Sequence, residues 1–349
     1  MDPIFRPNDG ANCPTADVST AGARRAAYSL LLDKGLIRVE LPVPADAEFT
    51  VASVVNPYGC TDTQNVSVYR RPLPSTNLRF LTTVMWDGRE SQPGNNLEQN
   101  LLHQANSATT GHAQGPVLPP AVRQEIVDFE MTLHTAQIVG DTGRLDDRGA
   151  SGGPMALGIQ QFFIGINDPL DHAVTFNPAA FSLFPAGGGD NDARAAIARG
   201  EALFNSKPIS IQGVAGLNDA LQMTSIPGTC TTCHNTPNVG NHSVPLAIDI
   251  GVSDPARNTG DLPVFLLVNK TTGATVQTMD PGRALITGKW ADIGKTKGPI
   301  LRGLSGRAPY FHNGSAATLQ DVVDFYETRF SIGLTPQEKS DLVAFLASL

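Results

Sequence analysis

Apolar positions recur at i, i+3, i+4 and i+7 through Asp192-Ala193-Arg194-Ala195-Ala196-Ile197-Ala198-Arg199-Gly200-Glu201-Ala202-Leu203-Phe204. That spacing predicts an amphipathic helix with Asp192 as its cap. A second helix is predicted from Leu334-Thr335-Pro336 and the apolar stripe that runs to Leu349. Thr335 is its cap and Pro336 its first helical residue. Leu319, Val322, Val323 and Tyr326 share one face of a third. By contrast, Val264 to Val276 reads as a β-hairpin. Gly140-Asp141-Thr142-Gly143, running on to Pro154, begins a polar, Gly-rich connection.

The chain repeats itself. Residues 118–133 align without gaps on residues 334–349, with identities at Leu118/Leu334, Pro120/Pro336, Val127/Val343, Phe129/Phe345 and Leu133/Leu349. Upstream of each copy lies an aromatic turn, Met85-Trp86-Asp87-Gly88 in one half and Phe311-His312-Asn313-Gly314 in the other. Two matched elements in the same order point to duplication rather than to a shared style of helix start.

Composition narrows the class. In 349 residues, 41% are hydrophobic and 17% charged, as in a folded globular chain and unlike a disordered one. The 34 Gly and 26 Pro predict long ordered loops between helices. A net charge of −8 argues against nucleic acid or an anionic membrane as the main partner. No apolar run approaches the roughly 20 residues needed to span a bilayer.

Candidate chemistry centres on Cys230-Thr231-Thr232-Cys233-His234, the C-x-x-C-H spacing of covalent c-type haem. Two thiols add to the two vinyl groups, and the adjacent histidine ligates the iron. With 4 Cys and 7 His, chance supplies this pattern about once in a thousand such chains. A zinc site would need further ligands at short spacing, and only His242 is near. A thioredoxin-like pair would follow a βαβ pattern, and none is evident. In the repeat, the position matching His234 is residue 18, yet the first histidine is His103. Met1 to Gly10 shows neither a basic n-region nor an apolar h-region. Covalent haem belongs to exported, oxidising compartments. The expectation is a periplasmic protein whose N-terminal segment, with signal and first haem motif, is missing from this chain. Cys13 and Cys60 would then pair, closing a loop worth about 4 kcal/mol; two free thiols are the alternative.

These residues resemble the bacterial di-haem cytochrome c peroxidases and their MauG-like relatives. The matching stretches are Arg71-Pro72 through Trp86-Asp87-Gly88-Arg89-Glu90, and Gly228-Thr229-Cys230 to His234. They continue with Lys297-Gly298-Pro299-Ile300-Leu301-Arg302, Ala308-Pro309-Tyr310-Phe311-His312-Asn313-Gly314-Ser315, and Leu319 to Tyr326. The resemblance implies a mainly α protein: two cytochrome c-like domains packed around haem, with long loops and a small β-hairpin insertion. The domains would be residues 1–139 and 190–349, joined by the connection 140–189. It further implies electron transfer through the C-terminal haem c to a peroxide-reactive N-terminal haem. The partners would be a small redox protein as donor and hydrogen peroxide, or a protein substrate in the MauG-like case. From the residues alone, a mono-haem electron carrier stays open.

The resemblance also assigns roles. Trp86 matches the tryptophan between the haems, and His312 an inter-domain histidine beside a haem propionate. Family peroxidases carry a methionine fourteen residues after that histidine; here the position is Tyr326, as in MauG-like enzymes. A phenolate stabilises ferric iron, whereas a thioether favours the reduced state. Met279 and Met223 are the competing ligands. The peroxide-site glutamate falls near Thr109–Gln114, where His112 and Gln114 stand instead; histidine can act as acid–base toward peroxide. Arg71 and Arg307 occupy positions that serve calcium in the family, and two cations there argue against that metal.

Overall fold

Thr335 caps the last helix as its position predicts. Its hydroxyl accepts the Glu338 amide (3.2 Å), and the Glu338 carboxylate accepts the Thr335 amide (2.8 Å). This reciprocal cap starts the helix Pro336–Ala347, with Pro at its first turn. The computed structural model describes residues 10–111, 113–141, 143–170, 176–185 and 193–349. The predicted cap Asp192 therefore lies outside the described residues, but the helix that follows it is present as Ala193–Ser206.

These two helices cross at Gly200, where a Cβ would overlap the Asp341 carbonyl oxygen. Phe345, wholly buried, fills the crossing. It meets Phe181 edge-on at 5.5 Å, Phe204 tilted at 5.4 Å and Phe184 edge-on at 6.3 Å between ring centroids. Burying each such ring contributes roughly 1.5–3 kcal/mol. Phe181 and Phe184 come from the Gly-rich connection, so that segment enters the core. Glu201 holds it there, its carboxylate accepting the amides of Leu183 and Phe184.

The repeat is visible as a second helix pair. Pro120–Thr132 packs on Leu97–Gly111, as Pro336–Ala347 packs on Leu319–Phe330. The correspondence breaks on one face. Phe345 is 0% exposed, while its repeat partner Phe129 is 65% exposed.

The expectation of a mainly α chain is met in part: helices are joined by small sheets. Ile37–Pro42 pairs antiparallel with Asn65–Arg70, and Phe49–Val55 pairs with Val264–Asn269. The predicted hairpin is real: Val264–Asn269 also pairs with Thr275–Thr278. It is no free-standing insertion, because its other edge takes a strand from the opposite half of the chain. The physical reason is β-branched alternation in Phe49-Thr50-Val51-Ala52-Ser53-Val54-Val55 and Asn65-Val66-Ser67-Val68. Phe49, Val51, Val66, Val68, Phe265 and Leu267 form one buried cluster under these strands. Cys13 and Cys60 are disulfide-bonded beside them, with 5.6 Å between Cα atoms. Among the described residues, no helix is long and apolar enough to cross a membrane.

Candidate functional site

Thr229 shapes the cysteine motif. Its hydroxyl accepts the Thr231 amide (3.2 Å), and its amide donates to the Thr232 hydroxyl (3.0 Å). The chain therefore tightens into the 3-10 turn Cys230–Thr232, and the His234 amide closes onto the Cys230 carbonyl at 3.0 Å. The turn sets Cys230, Cys233 and His234 on one wall of a mostly apolar cavity of about 210 Å³. Both thiols are free, and burial pushes each up to about 12. That direction is opposite to the depressed thiol of a redox-active dithiol.

His234 has a fixed tautomer. Its Nδ1 lies 2.6 Å from the Gly240 carbonyl, which can only accept, so Nδ1 carries the hydrogen and Nε2 the lone pair. Burial pushes this imidazole below its ordinary value and so favours the neutral form. A neutral imidazole oriented through its other nitrogen is the form that ligates a metal.

His242, considered as a zinc ligand from sequence, has a different place. Its Nδ1 donates to the Cys233 carbonyl (3.0 Å), and its Nε2 lies 2.9 Å from Asp168 Oδ2. Both side chains are buried. Burial pushes the Asp168 carboxyl up, but the His242 hydrogen bond and the Leu170 amide outweigh it and hold it below its usual range. This buried pair braces the Cys233 carbonyl, immediately before His234. Sequence reasoning missed it because Asp168 lies 74 positions from His242. Among the described residues, no group of three or more His, Cys, Asp and Glu gathers to hold a metal ion.

The helix Leu319–Phe330 forms another wall. It starts at Thr318 through a reciprocal cap with Asp321. Leu319, Val322, Val323 and Tyr326 all line the cavity, as their shared face predicts. The Tyr326 ring stands edge-on to the His234 ring, 6.4 Å between centroids. Burial pushes its phenol well above the ordinary value. Neither competing methionine lines the cavity. Met279 is buried with Leu30, Leu36, Tyr69 and Leu262 in a separate cluster, and Met223 is 44% exposed.

Trp86 and His312 meet at the cavity edge, 6.0 Å between ring centroids. The indole N–H donates to the Arg71 carbonyl (2.8 Å), and His312 Nε2 lies 3.1 Å from Ser253 Oγ. Burial pushes His312 down to about 4. Behind Trp86, the buried Arg70 bridges Asp87 and Asp280, holding Asp280 through two hydrogen bonds of 2.7 and 2.9 Å. Three further cations line the cavity: Arg71, Arg307 and Lys297. None of them pairs with a carboxylate within 4.0 Å among the described residues; Asp87 and Asp280 are engaged by Arg70, and Asp168 by His242. Burial pushes Lys297 down to about 7, while its Nζ donates to the Thr83 carbonyl at 2.7 Å.

This donor set fits haem c. The cavity offers two thiols, a neutral imidazole and a phenol around apolar walls, with cations at its margin for two propionate carboxylates. The peroxide-site candidates are not brought to it. Gln114 is exposed on a turn away from the cavity, because the chain leaves Leu97–Gly111 there and folds back through the Gly115 amide onto the Thr109 carbonyl. His112 lies outside the described residues.

No family model matches the chain. Among curated relatives, it is 32% identical over 171 residues to the cytochrome-c peroxidase IdrP1 of Pseudomonas sp. (strain SCT), covering 43% of this chain and 39% of that protein. It is 34% identical over 143 residues to the cytochrome-c peroxidase IdrP2 of Denitromonas iodatirespirans, covering 38% of each. With the cytochrome c551 peroxidase of Nitrosomonas europaea, identity is 35% over 126 residues, covering 34% of this chain and 30% of that one. The matched region thus spans two fifths or less of these relatives' lengths. Among solved structures, a MauG-like protein associated with microbial copper homeostasis superposes with a TM-score of 0.45 at 17% identity, over 82% of this chain and 74% of that one.

Proposed function

We propose that the protein is a c-type haem oxidoreductase of the di-haem peroxidase type. The observation that carries this reading is the convergence of Cys230, Cys233, His234 and Tyr326 on one apolar cavity with three cations at its margin. Partial matches to proteins named cytochrome-c peroxidases support the same direction. A haem bound there supplies one-electron redox chemistry at its iron.

Cys230 and Cys233 would tether the group by thioether bonds, and His234 would present Nε2 to the iron. Tyr326 would face the iron from the Leu319–Phe330 helix. Arg307 and Lys297 would meet the propionates with charge-assisted hydrogen bonds, and Arg71 would add positive charge at the same margin. Trp86, held by its indole hydrogen bond, would relay single electrons past His312, which burial keeps neutral. A small redox protein would deliver electrons to this haem, and a peroxide-reactive N-terminal haem site would reduce hydrogen peroxide. His112 is the acid–base candidate for that second site, and Gln114 is the other residue standing where the family has its glutamate.

Residues 1–139 and 190–349 are proposed as two cytochrome c-like units joined by 140–189. The repeated helix pair and the bare face around Phe129 support this. By the repeat, that face would take a helix equivalent to Ala193–Ser206. The Cys13–Cys60 disulfide supports a periplasmic setting. Tyr326 on the cavity wall favours one second reading, MauG-like oxidation of a partner protein, since a phenolate steadies higher-valent iron.

The test is covalent haem in protein made alongside a c-type maturation system. One haem per chain should be attached by mass spectrometry, and Cys230→Ala with Cys233→Ala should abolish it. A covalent c-type spectrum surviving both changes overturns the proposal. Peroxide turnover by the haem-loaded protein supports the peroxidase reading; its absence leaves a mono-haem electron carrier.

A further inference from the structure

Arg71 connects parts of the molecule that no local rule links. Its amide donates to the His312 carbonyl (2.6 Å), and its own carbonyl accepts the Trp86 indole N–H (2.8 Å). Its side chain reaches in the other direction. Nη1 donates to the carbonyls of Lys34 (2.8 Å) and Gly35 (3.2 Å), and Nη2 to those of Arg307 (3.2 Å) and Ala308 (3.3 Å). Four neutral carbonyls from opposite ends of the chain thus close around one planar cation. The fork geometry of a guanidinium can serve all four at once, which a point-charge ammonium cannot.

A second observation, at Gly35, points the same way. That residue ends the helix Ser29–Lys34 in the left-handed region, φ +58, where glycine is favoured. A Cβ at this position would overlap Arg71 Nη1. The helix end is therefore shaped to admit the guanidinium. No carboxylate lies within 4.0 Å of Arg71 among the described residues, so its partners are these carbonyl dipoles alone.

We propose that Arg71 is a positioning residue whose guanidinium clamps the Lys34-Gly35 and Arg307-Ala308 segments together and so fixes the Trp86–His312 pair at the cavity edge. Trp86 and His312 hang from the backbone of the same residue whose side chain makes the clamp. Releasing the guanidinium frees that backbone, and with it the acceptor of the indole. The consequence for electron relay rests on the haem reading above; the positioning itself does not.

Two variants keep a positive charge at residue 71 and remove the clamp: Arg71→Lys, and Gly35→Ala, which evicts the guanidinium. Both are made in the full haem-loaded chain with 15N-labelled tryptophan, and indole hydrogen exchange is followed by NMR in the ferrous state. Trp86 indole exchange should rise about tenfold in both, with Trp290 as the internal reference and the reduction potential nearly unmoved. Arg71→Ala should raise exchange equally and also lower the potential, because it removes a cation from the cavity wall. Unchanged Trp86 exchange in either charge-keeping variant overturns the proposal, as does a Trp290 change equal to that of Trp86, which would mean general loosening. Trp86→Phe separates the two claims by its peroxide turnover. Wild-type peroxide turnover in that variant would refute the relay and leave the exchange result to judge the clamp.

Discussion

Gly200→Ala sets two magnitudes against each other at the core of the second half. Alanine is favoured over glycine in a helix interior by about 1 kcal/mol, so an isolated Ala193–Ser206 helix would gain from the change. The crossing opposes it. A Cβ at residue 200 overlaps the Asp341 carbonyl oxygen and lies 2.6 Å from its carbon and 2.7 Å from Phe345 Cβ. Ordinary contact begins near 3.4 Å, and the carbonyl oxygen is the closest of the three atoms, so relieving its overlap separates the helices by roughly 1.4 Å. A gap of that size forfeits about half or more of each dispersion contact along the seam. The seam carries Phe345 and its three aromatic neighbours, and Arg199 pairs with the buried Asp341 across it. Forced overpacking of this kind costs typically 1–3 kcal/mol, and a backbone contact places it at the upper end. The expected net result is a loss of about 2 kcal/mol, read as a lower urea midpoint with unchanged slope. Phe204, Leu342 and Leu346 also line the cavity, so covalent haem yield should fall with stability. Gly200→Ala that raises the urea midpoint would show that propensity wins and that the close crossing is wrong.

Other outcomes follow from single residues. His312 is held neutral down to about pH 4, whereas the unfolded chain protonates it near 6.5. The unfolded state therefore binds the extra proton between those values, and stability should fall by up to about 3 kcal/mol as pH drops from 6.5 to 4. His312→Asn should flatten that stretch of a urea-midpoint-against-pH curve; equal slopes would refute the assignment. Cys60→Ala should cost about 4 kcal/mol by loop entropy, measured as a reduced midpoint, and adding reductant to the variant should change nothing more. In haem-loaded protein, Tyr326→Phe should alter the ferric spectrum and Met279→Leu should not. The reverse result would give the iron a thioether ligand and favour the electron carrier.

Sequence alone determined what is decided within one or two turns of chain. The Thr335-Pro336 helix start, the 264–278 hairpin, the cavity face of Leu319, Val322, Val323 and Tyr326, and the cysteine–histidine motif all follow from spacing and capping, which act between near neighbours. The strands at 37–42, 49–55 and 65–70 carry β-branched alternation, but which of them pair is decided by partners far along the chain. Tertiary structure alone decided which segments meet. That Phe49–Val55 completes the hairpin's sheet, that Asp168 reaches His242, and that Met279 is walled off from the cavity depend on contacts between residues far apart in the chain. Arg71 shows the difference within one residue. Its charge is written in the sequence, but its four carbonyl partners belong to segments 34–35 and 307–308, and only the folded chain brings them to one guanidinium. Backbone carbonyls carry no residue code, so a site built from them leaves no motif to read.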